Sequence, residues 1–286
     1  MAARHKKALH LRLPVFGLYI ALFSLALNIF TPPALAEAEN WLPPGSATEM
    51  LDSPPPELIK PGAEKDREWL YGRLLFRSPS LLGEKAVRIG LSCNSCHTNG
   101  HVNTNFYING LSDRPGRIDV TNRFWQAGFE DGIANPLDIP SLRGSADNTS
   151  FGTVNIFPDL HAFTSHVITT EFAGPEPDEE TIKSLISYIN SLDINELEES
   201  AAIVETSSDM SYISLLQRPL ENRDMPELNI LIDLIRSDYG RRAKLPAAQA
   251  DTLHLIVLNL RELREKAAKD DYEAAFAIYR KLSGAQ

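Results

Sequence analysis

Cys93-Asn94-Ser95-Cys96-His97 contains both cysteines of the chain, three residues apart, with a histidine directly after the second. On one helical turn residues i and i+3 share a face, so the two sulfurs can reach both vinyl groups on one edge of a porphyrin. His97 follows where its imidazole can bind the iron. This is the attachment pattern of a c-type haem. Other chemistries use only parts of the pattern. A disulfide suits an exported protein but has no use for the histidine. Structural zinc wants four ligands, usually from two separated pairs, and the sequence offers no second cysteine pair. A thioredoxin-like dithiol needs a βαβ context, which the flanking sequence lacks. The complete match favours one covalent haem c, with Cys93 and Cys96 as tethers and His97 as the proximal metal ligand.

Such a turn needs elements to hold it. A helix is expected over residues 63–77, carrying Trp69, Leu70, Tyr71, Leu74, Leu75 and Phe76 and stopped by Ser78-Pro79. Gly72 inside it costs about 1 kcal/mol relative to Ala, which points to a second backbone crossing closely there. The expected partner is a helix over 178–192, whose Ile182, Leu185, Ile186, Ile189 and Leu192 fit one helical face. Asp178, Glu179 and Glu180 stand in its first turn, where acids complement the macrodipole. In the c-type cytochromes that the Cys93–His97 motif resembles, the first and last helices cross with a small residue meeting an aromatic, and that resemblance implies Gly72 against Tyr188 as the contact here. Between the two helices Gly, Pro, Asn and Asp scatter from Asn99 to Pro177, and few regular elements are readable.

The first 36 residues read as a targeting segment. Arg4, Lys6, Lys7 and Arg12 form a basic start, Val15 to Phe30 is apolar, and Ala34-Leu35-Ala36 supplies small residues for cleavage before Glu37. The apolar run has 16 residues and contains Asn28; a membrane span needs about 20. Cleavage and a periplasmic location are therefore expected, with no stable membrane insertion afterwards, and export agrees with a covalent haem. Without the segment the count is 24 basic against 38 acidic residues, 28 less the four lost, for a formal charge of −14. That surface is a poor match for nucleic acid. It suits a basic redox protein partner.

Residues 37–62 are proline-rich and expected to be extended, either disordered or wrapped over the domain surface. A haem domain is expected over 63–195. Beyond it, Glu196, Glu198 and Glu199 mark a junction to a small helical bundle or hairpin over 196–286. Its helices are expected over 225–241, from Pro246 through Leu263, and over 270–282. His254 reads as a helix-surface or core histidine, and Met210 and Met225 as packing residues. The fold class is all-α.

Gly72-Arg73-Leu74-Leu75-Phe76, the Leu91 to His97 run, Ile139-Pro140-Ser141-Leu142-Arg143-Gly144, Phe157-Pro158-Asp159-Leu160 and Leu185 to Leu192 stand in an order that resembles one haem domain of the bacterial di-haem cytochrome c peroxidases and their methylamine-utilisation relatives. The resemblance covers roughly residues 64–195 and implies a cytochrome c-like domain whose first and last helices cross. It places His161 and His166 in the part of the chain that covers the distal haem face. His166, then His161, then His101 is the expected order of candidates for the second axial metal ligand, ahead of an open site. Haem propionates need cations, and of Arg114, Arg117, Arg123 and Arg143 the family-like Arg143 is the expected partner.

The departures narrow the function. Those enzymes carry two haems, and this chain has cysteines for one. Where relatives often read Ala-Pro-Tyr-x-His-Asp-Gly, Thr149 to Asn155 contains no histidine. Electron transfer by a single-haem exported cytochrome is therefore the leading expectation. A peroxidase-like haem enzyme is the second, and a haem-containing binding or sensor module the third.

Overall fold

The computed structural model describes Gly45, residues 54–128, 130–195, 202–203, 212–241 and 247–284, with the backbone alone at 202–203 and 247–250. The expected targeting segment, the expected cleavage point before Glu37, most of residues 37–53, the expected acidic junction and Met210 lie outside the described residues. The chain is mostly helical. No helix among the described residues is long and apolar enough to cross a membrane.

Helix α1 spans Arg67–Phe76, four residues shorter at its start than the sequence led us to expect. The reason is its cap. Gly62 has φ +79° and turns the chain, and Asp66 accepts the Trp69 N–H at 2.9 Å, so the helix begins after it. Helix α2 (Gly83–Ile89) and the single turn α3 (Cys93–Cys96) follow. After the irregular stretch come α4 (Leu160–His166), one π turn over Val167–Glu171, and α5 (Glu179–Ser191). Asp178 caps α5 by accepting from Thr181 N–H at 2.8 Å.

Helices α1 and α5 cross in close contact. A Cβ at Gly72 would sit 1.8 Å from the Ser184 carbonyl oxygen, so only a hydrogen can occupy that side of residue 72. The expected glycine–tyrosine pairing is corrected here: the atoms nearest Gly72 are the backbone of Ser184 and Leu185. Tyr188 lies one turn on, its ring 5.6 Å from Trp69 and 5.1 Å from Phe76. The Trp69 indole N–H donates to Ser191 Oγ at 2.7 Å, and so the crossing is polar at one end and apolar through its middle.

The C-terminal helices α6 (Gln217–Asn222), α7 (Met225–Gly240), α8 (Ala247–Ala268) and α9 (Tyr272–Ser283) pack mainly on one another. They nonetheless share one contiguous apolar core with α1 and α5, running from Ile59 through Tyr188 and Tyr212 to Leu282. Arg67 bonds Glu227 Oε1 at 2.5 Å and the Leu215 carbonyl at 3.1 Å across this boundary. Arg241 donates to the Arg77 carbonyl at 2.5 Å.

The proline-rich lead-in is extended and wrapped where it is described. Strand β1 (Leu58–Ile59) pairs antiparallel with a second strand at Ala202–Ile203. Asp193 N–H donates to the Leu58 carbonyl at 2.9 Å, and Lys60 N–H to the Ser191 carbonyl at 2.8 Å, which staples the lead-in to the end of α5. Glu57 is 4% exposed. Its carboxylate takes both Nε and Nη2 of Arg73, at 2.8 and 2.6 Å, Arg77 Nη2 at 3.2 Å and the Tyr188 hydroxyl at 2.6 Å. Arg73 also bonds the Tyr212 hydroxyl. Burial by itself would push the Glu57 pKa up; the two guanidiniums and the hydrogen bonds from Arg73 and Tyr188 outweigh it and bring it down to about 2.

Candidate functional site

Cys93 and Cys96 lie one turn apart on α3, both as free thiols, with Cys93 half-buried and Cys96 buried. The turn is short because its neighbours end it. Ser95 Oγ accepts the Ser92 N–H at 3.0 Å at the start. At the finish His97 leaves the helix with φ −115° and ψ 62°. Asn99 then adopts φ 52° and Gly100 φ 86°, left-handed conformations that Asn and Gly tolerate best. Asn103, fully buried, donates its backbone N–H to the Cys96 carbonyl at 2.9 Å and its side-chain amide to the Ser95 carbonyl at 2.8 Å.

The segment after Ile139 docks against this turn. Leu142 N–H donates to the Gly100 carbonyl at 2.9 Å. His97 Nδ1 lies 2.9 Å from the Pro140 carbonyl. A carbonyl only accepts, so Nδ1 carries the proton and Nε2 keeps its lone pair. Burial moves the His97 pKa down, against the Pro140 hydrogen bond, to about 4, and the ring is neutral at physiological pH. Burial also raises both thiols, Cys93 to about 12 and Cys96 further, and both stay protonated. The turn therefore offers two thiols and one neutral imidazole with an oriented N–H: a donor set that can be tethered to a porphyrin and bind its iron. Among the described residues, no group of three or more His, Cys, Asp or Glu side chains converges as an ion site of its own.

The other candidates separate by what already occupies them. His101 donates from Nε2 to the Pro56 carbonyl at 2.9 Å, leaving Nδ1 to accept from Arg143 Nη1 at 3.1 Å. His161 is exposed and pairs with Glu179 at 3.2 Å. His166 ends α4 half-buried, its ring 4.7 Å from that of Phe157 and its Nε2 3.8 Å from Glu171; burial lowers its pKa. His254 is exposed on α8.

Arg143 stands beside the Cys93–His97 turn but faces the end of α5. It donates to the Asp193 and Ile194 carbonyls, each at 2.6 Å, as well as to His101. Arg114 and Arg117 pair with Asp138 at 3.3 and 3.0 Å, and Arg117 also with Asp113. The carbonyl of Pro140 and the amides of Asn94, Asn99 and Asn103 were not singled out from the sequence. Apart from the local Asn94–Asn99 bond, their roles depend on chain segments meeting in space, and only the family-like runs that contain Asn94 and Pro140 carried any signal. No family model, curated protein or solved structure matches the chain, so the functional reading rests on these residues and their geometry.

Proposed function

We propose that the chain is an exported cytochrome with one covalent haem c, carried on a cytochrome c-like domain, and that it transfers single electrons in the periplasm. The observation that carries this reading is the His97 Nδ1–H donated to the Pro140 carbonyl at 2.9 Å beside two free thiols. Histidines that bind metals almost always donate their other ring N–H to a carbonyl or carboxylate, which fixes the tautomer and makes the ligating nitrogen more basic.

Cys93 and Cys96 would hold the group, each S–H adding across a vinyl group, sulfur to one carbon and hydrogen to its neighbour. His97, its ring oriented by the Pro140 carbonyl, would offer Nε2 to the iron. When bound, the haem supplies a one-electron ferric/ferrous couple. His166, in the segment that the family resemblance sets over the distal face, would be the second protein ligand, and burial favours its neutral form. Arg143 can meet a propionate only by sharing donors now directed at Asp193, Ile194 and His101. The acidic balance of the exported chain favours a basic redox partner.

Two measurements test the reading. Haem should remain with the polypeptide after acid–acetone extraction, and colour passing into the organic phase would refute covalent attachment. Stopped-flow mixing of reduced protein with an oxidised small cytochrome should show fast exchange beside poor peroxide turnover. Robust peroxide turnover that survives His166→Ala and His161→Ala but is lost in His97→Ala would instead indicate a peroxidase-like enzyme with an open distal face.

A further inference from the structure

Asn99 joins the haem-type turn to the buried ion cluster. Its backbone N–H donates to Asn94 Oδ1 at 2.9 Å, closing the turn from Asn94 across Cys96 and His97. Its Nδ2 donates to the Pro55 carbonyl at 2.7 Å, and its Oδ1 accepts from Arg77 Nη2 at 2.6 Å. The same Arg77 nitrogen reaches Glu57 Oε2 at 3.2 Å. Every polar atom of the Asn99 amide is thus committed, and its φ of 52° is one that few residues other than Asn and Gly accept.

The charge balance of this cluster matters as much as its shape. Glu57 is one buried carboxylate facing two guanidiniums, the buried Arg73 and the partly buried Arg77, so an excess positive charge sits two hydrogen bonds from the ligand turn. Buried charges are weakly screened. Positive charge nearby favours the reduced, less positive state of an iron centre, and the Glu57 carboxylate opposes that bias.

We propose that Asn99 and the Glu57–Arg77 pair act as a positioning unit, which fixes the Cys93–His97 turn and sets the reduction potential of the group it holds. The inference rests on the covalent-haem reading. It assigns the segment around Glu57, outside the family-like region, a part in electron transfer that its sequence does not advertise.

Two variants of opposite charge effect make the test. Glu57→Gln removes the carboxylate while keeping a side chain of the same size, and should shift the potential upward. Asn99→Asp keeps the size and the left-handed backbone but adds negative charge beside Arg77, and should shift the potential downward. Both should retain one covalent haem per chain, measured as the pyridine haemochrome, while the ferric low-spin magnetic resonance signal changes with the orientation of His97. Purely structural roles would not give shifts of opposite sign. Two unchanged potentials, or two shifts in one direction, overturn the inference while leaving covalent attachment intact. If Glu57→Gln fails to accumulate, Asn99→Asp alone decides, a downward shift supporting the inference and an unchanged potential overturning it. A wild type without covalent haem removes the cofactor reading and this inference together.

Discussion

The crossing of α1 and α5 and the turn from Cys93 to His97 both depend on close backbone approaches, but they are built from different interactions. The crossing is held by buried apolar surface around Trp69, Leu74, Leu185 and Tyr188, with Gly72 letting two backbones meet. The turn contributes little apolar surface of its own. It is held by amide and carbonyl contacts from Asn94, Asn99, Asn103 and Pro140. Apolar burial is non-directional and forgiving of small rotations, whereas these hydrogen bonds fix orientation. Damage to the crossing should therefore cost stability, and damage to the turn should change the chemistry of His97 before it unfolds the protein.

The largest effect is expected where the two regions meet. Arg73→Ala removes the bidentate partner of the buried Glu57 carboxylate and leaves it only the Arg77 contact at 3.2 Å and the Tyr188 hydroxyl; breaking such a buried pair costs roughly 3–5 kcal/mol. Denaturant unfolding should show a loss of that size, and a loss below about 1 kcal/mol would mean that Glu57 is not held as described.

Acid provides the same test without mutation. Glu57 has a native pKa of about 2, below its ordinary value of 4.5. A depressed carboxylate contributes its full stabilisation above the ordinary value and loses it as pH falls toward the native one. Stability should thus drop between about pH 4.5 and 2, by something on the order of 3 kcal/mol. In Glu57→Gln that part of the pH dependence should be gone.

Gly72→Ala tests the crossing alone. Overpacking a close contact costs typically about 1–3 kcal/mol, and here the obstacle is the Ser184 carbonyl rather than a flexible side chain. The unfolding midpoint should fall clearly while the reduction potential of the proposed haem in the remaining folded protein stays near wild type. A shifted potential with unchanged stability would reverse the division of roles. Smallest is Asp178→Ala, which removes the α5 cap and should cost about 1 kcal/mol in the same assay, with no change at the turn.

The sequence disclosed the crossing more readily than the turn's supports. Periodicity located the helix now seen at Glu179–Ser191 within a residue at each end, and the helix Met225–Gly240 likewise. Gly72 pointed to a close approach, though its neighbour is the backbone of Ser184 and not the Tyr188 ring. The start of α1 was misplaced because Ala63, Glu64 and Lys65 are good helix formers, while the hydrogen bond from Trp69 to Asp66 decides the boundary. Glu57 was invisible for another reason. A lone acid among prolines reads as solvated, and only the fold brings Arg73, Arg77 and Tyr188 around it. Cys93, Cys96 and His97 could be singled out as a candidate site because their grouping is local, set by spacing within one turn. The Pro140 carbonyl, 43 residues from His97, was not.

Intact mass under denaturing conditions tests the central claim most directly, compared across wild type, Cys93→Ser, Cys96→Ser and the double variant. The account predicts a wild-type mass equal to the polypeptide from Glu37 plus one haem, and a double variant at the mass of bare polypeptide. A wild type that runs at bare polypeptide mass, with two thiols open to alkylation, would contradict it.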